Sequence, residues 1–174
     1  MKSGISFILP LILLLTSCES NFDRYDRDND GLWNGDEFDE AYGENFVSWD
    51  LDSDQLLDGN EFFGSTFENT DLDSDGFINE DEWKEGNVNM YRNYAGENDF
   101  TEFDVNEDSL IDEEEWNDGF INSDWFDTYD VDRDGYMNTG ELNEGLFNDW
   151  DDNGDGFLDE DEYEAGDAYF NAEK

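Results

Sequence analysis

Six twelve-residue segments with one arrangement of acidic residues recur along this chain of 174 residues. The clearest spans residues 71–82, DLDSDGFINEDE, with aspartate at positions 1, 3 and 5, glycine at position 6 and glutamate at position 12. All six segments keep the glutamate and carry an apolar residue at position 8. Carboxylates packed this closely repel one another, so the pattern predicts that cations bind between them. The segments, here named loops 1 to 6, are residues 26–37, 50–61, 71–82, 104–115, 130–141 and 151–162.

The shared template resembles the calcium loop of the EF-hand family. The resemblance implies that positions 1, 3 and 5 supply side-chain oxygens, position 7 its backbone carbonyl and position 12 two carboxylate oxygens, with acidic residues at position 9 assisting. Glycine at position 6 suits a backbone with positive φ. Up to six calcium ions are therefore expected as cofactors. The candidate ligands are Asp26, Asp28, Asp30, Leu32, Glu37, Asp50, Asp52, Asp54, Leu56, Asp58, Glu61, Asp71, Asp73, Asp75, Phe77, Glu82, Asp104, Asn106, Asp108, Leu110, Asp112, Glu115, Asp130, Asp132, Asp134, Tyr136, Glu141, Asp151, Asn153, Asp155, Phe157, Asp159 and Glu162.

Aromatic residues flank the loops at helical spacing. Five loops are preceded by two aromatic residues three positions apart, and loop 3 is preceded by Phe67 and Thr70. An apolar residue follows each terminal glutamate directly. Since this spacing places side chains on one helical face, the sequence predicts an all-α fold of tandem EF-hand helix–loop–helix units. The position 8 residues resemble those that join two paired loops through a short β-bridge in the family, and they are Trp33, Leu57, Ile78, Ile111, Met137 and Leu158.

The spacing of the loops predicts how helices connect them. Successive loops begin 24, 21, 33, 26 and 21 residues apart, and only the step from loop 3 to loop 4 has room for two helices and a turn. The shorter steps predict shared short helices, with loops 1 and 3 on one side and loop 2 on the other. The starts of loops 1 to 3 recur 78, 80 and 80 residues later, which indicates an internal duplication. We therefore expect two similar three-loop lobes, residues 18–90 and 91–174.

Two loops depart from the template at position 6. Gln55 in loop 2 and Ser109 in loop 4 replace the glycine. Each must adopt a turn that favours glycine, at a cost of about 1 kcal/mol. We predict weaker ion binding in these two loops, partly offset in loop 2 by the additional carboxylate of Asp58.

The N-terminus predicts export. Residues 1–17 combine one lysine, an apolar run and small residues, which is the layout of a signal peptide. The motif Leu15-Thr16-Ser17-Cys18 resembles the bacterial lipobox, which implies cleavage before Cys18 and lipidation of its sulfur; the alternative is an ordinary cleaved signal peptide. The expected location is the bacterial cell envelope or cell surface. Because a single cysteine cannot form an internal disulfide, bound metal is the expected stabilising device.

Charge and composition restrict the function. The chain has 52 acidic and 7 basic residues and a formal charge of -45, so we expect neither nucleic acid nor membrane lipid as a partner, apart from a lipid anchor at Cys18. It has no histidine, which argues against an enzyme, although a catalytic carboxylate pair would not be visible in such a sequence. The leading hypothesis is a surface-anchored calcium-binding protein, folded or rigidified by calcium, that presents a calcium-dependent surface to a protein or cationic-surface partner. The alternative is an exported calcium buffer or an acidic protein that binds minerals or cations.

Overall fold

Short helices joined by loops make up residues 20–43, 45–86, 91–96 and 99–171, which the computed structural model describes. These residues contain eleven helices and three isolated β-bridges, which confirms the predicted all-α class. Each helix in these ranges is too short or too polar to cross a bilayer. The predicted signal peptide and Cys18 lie outside the described residues. The helices are α1 (Asn21–Tyr25), α2 (Gly35–Tyr42), α3 (Asn45–Trp49), α4 (Gly59–Thr70), α5 (Glu80–Gly86), α6 (Arg92–Ala95), α7 (Phe100–Phe103), α8 (Glu113–Phe120), α9 (Trp125–Tyr129), α10 (Thr139–Trp150) and α11 (Glu160–Asn171).

Two of the four predicted shared helices are continuous. Helix α4 runs from loop 2 to loop 3 and α10 from loop 5 to loop 6, each with 12 residues. At 1.5 Å per residue, such a helix holds its two loops about 18 Å apart. Between loops 1 and 2, and between loops 4 and 5, two separate helices replace the expected single one. These steps are 24 and 26 residues long instead of 21, and the extra residues break the helix.

The position 8 residues pair loops from opposite halves of the sequence. Ile78 bridges Ile111, so loop 3 pairs with loop 4. The other antiparallel bridges join Leu57 to Met137 and Trp33 to Leu158, so loop 2 pairs with loop 5 and loop 1 with loop 6. Consecutive closely spaced loops are not bridged to each other, in agreement with the predicted alternation along shared helices. One cluster of buried side chains extends through both halves, while the division at residues 90 and 91 stays a prediction.

The helix contacts repeat with the internal duplication. Helix α4 packs on α8, and its counterpart α10 packs on α2, the counterpart of α8. Helix α3 likewise packs on α4, as α9 packs on α10. The bridge between loops 3 and 4 corresponds to the bridge between loops 6 and 1, whereas the bridge between loops 2 and 5 corresponds to itself. The halves are therefore related by an internal pseudo-twofold whose centre lies at the bridge between loops 2 and 5.

Glycines on four of the exiting helices provide the space for aromatic rings. A Cβ added to Gly119 would lie 2.1 Å from the ring of Phe103, and one added to Gly166 would lie 2.0 Å from the ring of Trp150. The rings that precede loops 4 and 6 thus pack directly on the backbone of the following helices. All six units carry a small residue four positions after the terminal glutamate: Ala41, Ser65, Gly86, Gly119, Gly145 and Gly166.

Tyr91, between the two sets of loops, completes the core of one of them. It is fully buried, and its hydroxyl donates to the backbone oxygen of Trp83 at 2.5 Å. Its ring centroid lies 5.1 Å from that of Trp116 on α8. In the other half, the ring of Trp150 packs on α2, which is the counterpart of α8. The position equivalent to Trp150 in the half that contains α8 is Thr70, which has no ring. Tyr91 therefore supplies the ring that Thr70 lacks.

Candidate metal centres

The carboxylate at position 1 shapes each loop by accepting two backbone hydrogen bonds. In loop 3, Asp71 Oδ1 accepts from the N–H of Asp75 at 3.1 Å, and its Oδ2 accepts from the N–H of Gly76 at 2.8 Å. Asp75 Oδ1 in turn accepts from the N–H of Phe77 at 3.0 Å. These bonds recur in all six loops. They curl the backbone of each loop around the carboxylate of position 1.

The glutamate at position 12 ties the start of each loop to its end. Glu82 Oε1 accepts from the N–H of Leu72 at 3.0 Å, and its Oε2 accepts from the N–H of Asn79 at 2.9 Å. Every loop has a bond from position 2 or 3 to one oxygen and from position 9 to the other. The glutamate is thus held beside the position 1 and 3 carboxylates, where a cation would need it.

Position 9 caps the exiting helix. Asp58 Oδ1 accepts from the N–H groups of Asn60 and Glu61, which with the Glu61 side chain forms a capping box. Asp112 caps α8 in the same way, and Asp159 Oδ1 accepts from the N–H of Glu162. The structure therefore assigns these three carboxyls to the helix N-termini. Their predicted role as ligands stays a prediction, as does that of the position 7 carbonyls.

Carboxylates from positions 1, 3 and 12 converge in four loops. In each, one oxygen per residue lies within 4.8 Å of the others. A single ion with ligand distances of 2.3–2.6 Å, the range for calcium, fits between oxygens so spaced. The donor set is oxygen only, which suits a hard cation. Loops 4 and 6 have Asn106 and Asn153 at position 3, so an amide replaces one carboxylate there. The four clusters are Asp26–Asp28–Glu37, Asp50–Asp52–Glu61, Asp71–Asp73–Glu82 and Asp130–Asp132–Glu141.

The electrostatics of the loops favour a bound cation. Desolvation within the loop and the negative charge of Asp30 raise the pKa of the Asp28 carboxyl, with further contributions from Glu37 and Asp26. Asp52 has a raised pKa for the same kinds of reason. A raised pKa means that the ionised form is opposed by its surroundings. A cation placed among these carboxylates would offset that repulsion.

Positive φ angles occur at two positions of the loops. Gln55 and Ser109 at position 6 have φ of 73° and 70°, which confirms that they adopt the turn that elsewhere has glycine. Sequence reasoning missed position 4, where φ lies between 56° and 70° in every loop. Its occupants are mostly small or polar residues, which is a weak signal for this conformation. They are Asn29, Ser53, Ser74, Glu107, Arg133 and Gly154.

Comparison with known families identifies two of the loops. A family model described as EF hand matches residues 63–86 and 121–146, which contain loops 3 and 5 with all or part of their flanking helices. Among curated proteins the chain has no significant match. The two matches and the acidic clusters support an EF-hand family and calcium binding. EF-hand segments typically bind calcium without catalysing a reaction.

Proposed function

Because EF-hand segments bind calcium, we propose that this chain binds up to six calcium ions and that these ions complete or rigidify its fold. The observation that carries the proposal is the common geometry of the six loops: the same carboxylates hold the same backbone N–H groups in each. A geometry shared with the two matched loops supports ion binding in the other four.

The ions are proposed to act in three pairs, each spanning both halves. The bridges between loops 1 and 6, 2 and 5, and 3 and 4 each consist of two backbone hydrogen bonds of 2.8–2.9 Å. Ordering one loop restrains the backbone of its partner through these bonds. Calcium in one half therefore favours binding in the other, and the ions fasten the two halves together.

The loop margins are proposed to form a calcium-dependent interaction surface. Leu51, Val105 and Val131 at position 2 are 76%, 74% and 62% exposed, and Phe77 and Tyr136 at position 7 are 38% and 44% exposed. These apolar side chains sit on backbone that the ion-binding carboxylates organise. A protein or cationic surface is the proposed partner, and the high negative charge favours a basic one.

Dye binding separates this function from the alternative of a calcium buffer or mineral-binding protein. The experiment records fluorescence of an apolar-surface dye with residues 19–174, in chelator and in calcium, and counts bound ions by native mass spectrometry. The proposal expects up to six ions and a change in dye binding with calcium. Ion binding without any change in dye fluorescence would favour a buffer. Binding of two ions or fewer would contradict the six-site proposal.

We also propose export and lipid anchoring at Cys18, which the lipobox-like motif supports. In a bacterial expression host, the full chain should be found in the membrane fraction, with a mass that includes a diacylglycerol. Cys18→Ser should abolish the added mass of the diacylglycerol. The same added mass in this variant would exclude Cys18 as the anchor.

A further inference from the structure

Loop 6 contains one of the two Asn-Gly steps in this sequence, Asn153-Gly154 at loop positions 3 and 4. The other is Asn34-Gly35, at the start of α2. In an Asn-Gly step the backbone nitrogen of the glycine can approach the side-chain carbonyl carbon of the asparagine, because glycine has no side chain to hinder it. The two steps therefore share one chemistry, and the structure decides which of them can react.

The Asn153 side chain is less restrained than the side chains at position 3 of the other loops. In loops 1 to 5, Oδ1 of position 3 accepts from the backbone N–H of position 5 at 2.9–3.2 Å. In loop 6 the N–H of Asp155 donates to Asp151 Oδ1, and within the described ranges the exposed Asn153 side chain makes no hydrogen bond. The N–H of Gly154 makes a long bond of 3.3 Å to the backbone oxygen of Asp151. The Asn153 side chain can therefore turn toward this nitrogen.

The Asn34 side chain, in contrast, is held in place by α2. Its Oδ1 accepts from the backbone N–H of Asp36 at 2.9 Å and from that of Glu37 at 3.2 Å, and Gly35 is the first residue of the helix. Asn34 would have to give up this cap before its side chain could turn toward Gly35. Because a cap typically contributes enough stability to slow such a step by about fivefold, the structure favours reaction at Asn153 over Asn34.

The backbone of loop 6 does not require glycine at position 4. Gly154 has φ of 70°, but the other five loops have asparagine, serine, glutamate or arginine at this position with φ of 56–62°. A Cβ added to Gly154 would meet nothing beyond its chain neighbours within 4 Å. Both the angle and the space thus accommodate a side chain. What the glycine changes is the access of the Asn153 side chain to the backbone nitrogen.

We propose that Asn153 is a site of spontaneous deamidation when loop 6 holds no ion. The Gly154 nitrogen loses its proton to solvent base and forms a bond to Asn153 Cγ, and the side-chain nitrogen takes a proton from solvent and leaves as ammonia. Water then opens the resulting succinimide ring. Breaking the bond from the nitrogen to Cγ gives aspartate, and breaking the bond from the nitrogen to the main-chain carbonyl carbon gives isoaspartate. Water is the one co-reactant.

The two products change loop 6 in opposite directions. Aspartate gives loop 6 carboxylates at positions 1, 3 and 12, the set that forms the four clusters, and loop 3, the counterpart of loop 6, already has Asp73 there. Calcium binding should become stronger. Isoaspartate adds a methylene to the backbone and displaces the N–H groups of Asp155 and Gly156 from Asp151, so binding should become weaker. These effects on calcium rest on the proposed function, whereas the covalent step depends on the loop alone.

Peptide mapping by mass spectrometry tests the proposal on protein kept in calcium and in warm, mildly alkaline buffer. An ion in loop 6 would hold the Asn153 oxygen, so the test uses Glu162→Gln, which removes one charge from the loop and keeps an oxygen that accepts from the Asn153 N–H. Circular dichroism verifies that the variant is folded. Asn153 should then deamidate at least about fivefold faster than Asn34. Equal rates at the two residues, or reaction at neither, would overturn the proposal.

The wild-type protein gives the same comparison without a substitution, at the lowest calcium concentration that keeps its full helical signal. It also separates this proposal from the proposed function. In saturating calcium, Asn153 should deamidate more slowly in the wild type than in Glu162→Gln, because an ion occupies loop 6. Equal, fast rates in both proteins would support the deamidation site and contradict an ion in loop 6.

Gly154→Ser, added to Glu162→Gln, provides the matched control. Serine is the residue that loops 2 and 3 have at position 4, with φ of 62° and 56°, so loop 6 should keep its shape. Its side chain hinders the approach of the backbone nitrogen. Deamidation of Asn153 should therefore slow severalfold, while the rate at Asn34 stays the same. An unchanged rate at Asn153 would contradict the assignment.

Discussion

Leu57 and Met137, 80 positions apart, exchange two backbone hydrogen bonds of 2.8 and 2.9 Å. This separation equals the repeat length, so each residue is the counterpart of the other. The bridge therefore lies at the centre of the internal pseudo-twofold, and it joins loop 2 to loop 5. If calcium binds in bridged pairs of loops as proposed, the bound ions connect the halves of the chain instead of neighbouring loops.

Glu61→Gln tests this pairing. Removing one charge from loop 2 should weaken calcium binding there by about tenfold. Through the bridge, the calcium concentration at which loop 5 is half-saturated should also rise. The half-saturation of loop 3, the next loop along the chain, should change less because α4 separates it from loop 2. Amide resonances of Gly135 in loop 5 and Gly76 in loop 3, followed by NMR during a calcium titration, report the two sites. A changed titration midpoint for Gly76 with an unchanged midpoint for Gly135 would contradict the pairing.

Gln55→Gly should stabilise the calcium-bound protein by about 1 kcal/mol, since glycine adopts the φ of 73° without strain. Calcium affinity in loop 2 should rise accordingly. Urea unfolding in saturating calcium measures the change in stability. Gln55→Ala, which keeps a Cβ at the same backbone angle, serves as the control and should give no gain. An equal gain from alanine would show that the strain argument is wrong.

Gly166→Ala should destabilise the fold by about 1–3 kcal/mol although alanine favours helices. Its Cβ would lie 2.0 Å from the Trp150 ring and would displace it from the core. Gly64→Ala in the interior of α4 is the control, because its new Cβ would only meet Glu113 Oε1 at 3.6 Å. That variant should gain roughly 0.5–1 kcal/mol. Thermal unfolding of both variants in calcium measures these changes in stability. An unchanged stability of Gly166→Ala would disprove the close ring contact.

Tyr91→Ala should cost about 3–5 kcal/mol, as expected for a buried ring, because this residue completes the core beside Trp116. Tyr91→Phe keeps the ring and loses the hydrogen bond to Trp83, so it should cost about 1 kcal/mol. Denaturant unfolding compares the two variants. Similar, small losses would mean that the segment between the halves is not part of the core.

Local features of this protein could be predicted from its sequence. The positive φ angles at position 6 follow from the placement of glycine, and the helices on both sides of each loop follow from the aromatic spacing. The continuous helices α4 and α10 follow from the 21-residue steps between their loops. Each depends on residues close together in the chain. The bridge between Ile78 and Ile111 was not predicted, although the room for two helices between their loops was visible in the sequence.

The pairing of distant loops could not be predicted. Trp33 and Leu158 lie in the first and last loops, and nothing in either segment distinguishes one apolar position 8 residue from another. The burial of Tyr91 depends on the small Thr70 in a different element, and the role of Asp58 as a helix cap depends on backbone direction. The glycines of the exiting helices were the unused signal, because glycine inside a helix usually indicates close packing.

The most direct test is a calcium titration of residues 19–174 from a chelated start, followed by far-ultraviolet circular dichroism in physiological salt. If calcium completes the fold, the helical signal rises cooperatively below a few millimolar, the range of extracellular sites. A spectrum that is fully helical in chelator and unchanged by calcium would contradict the account.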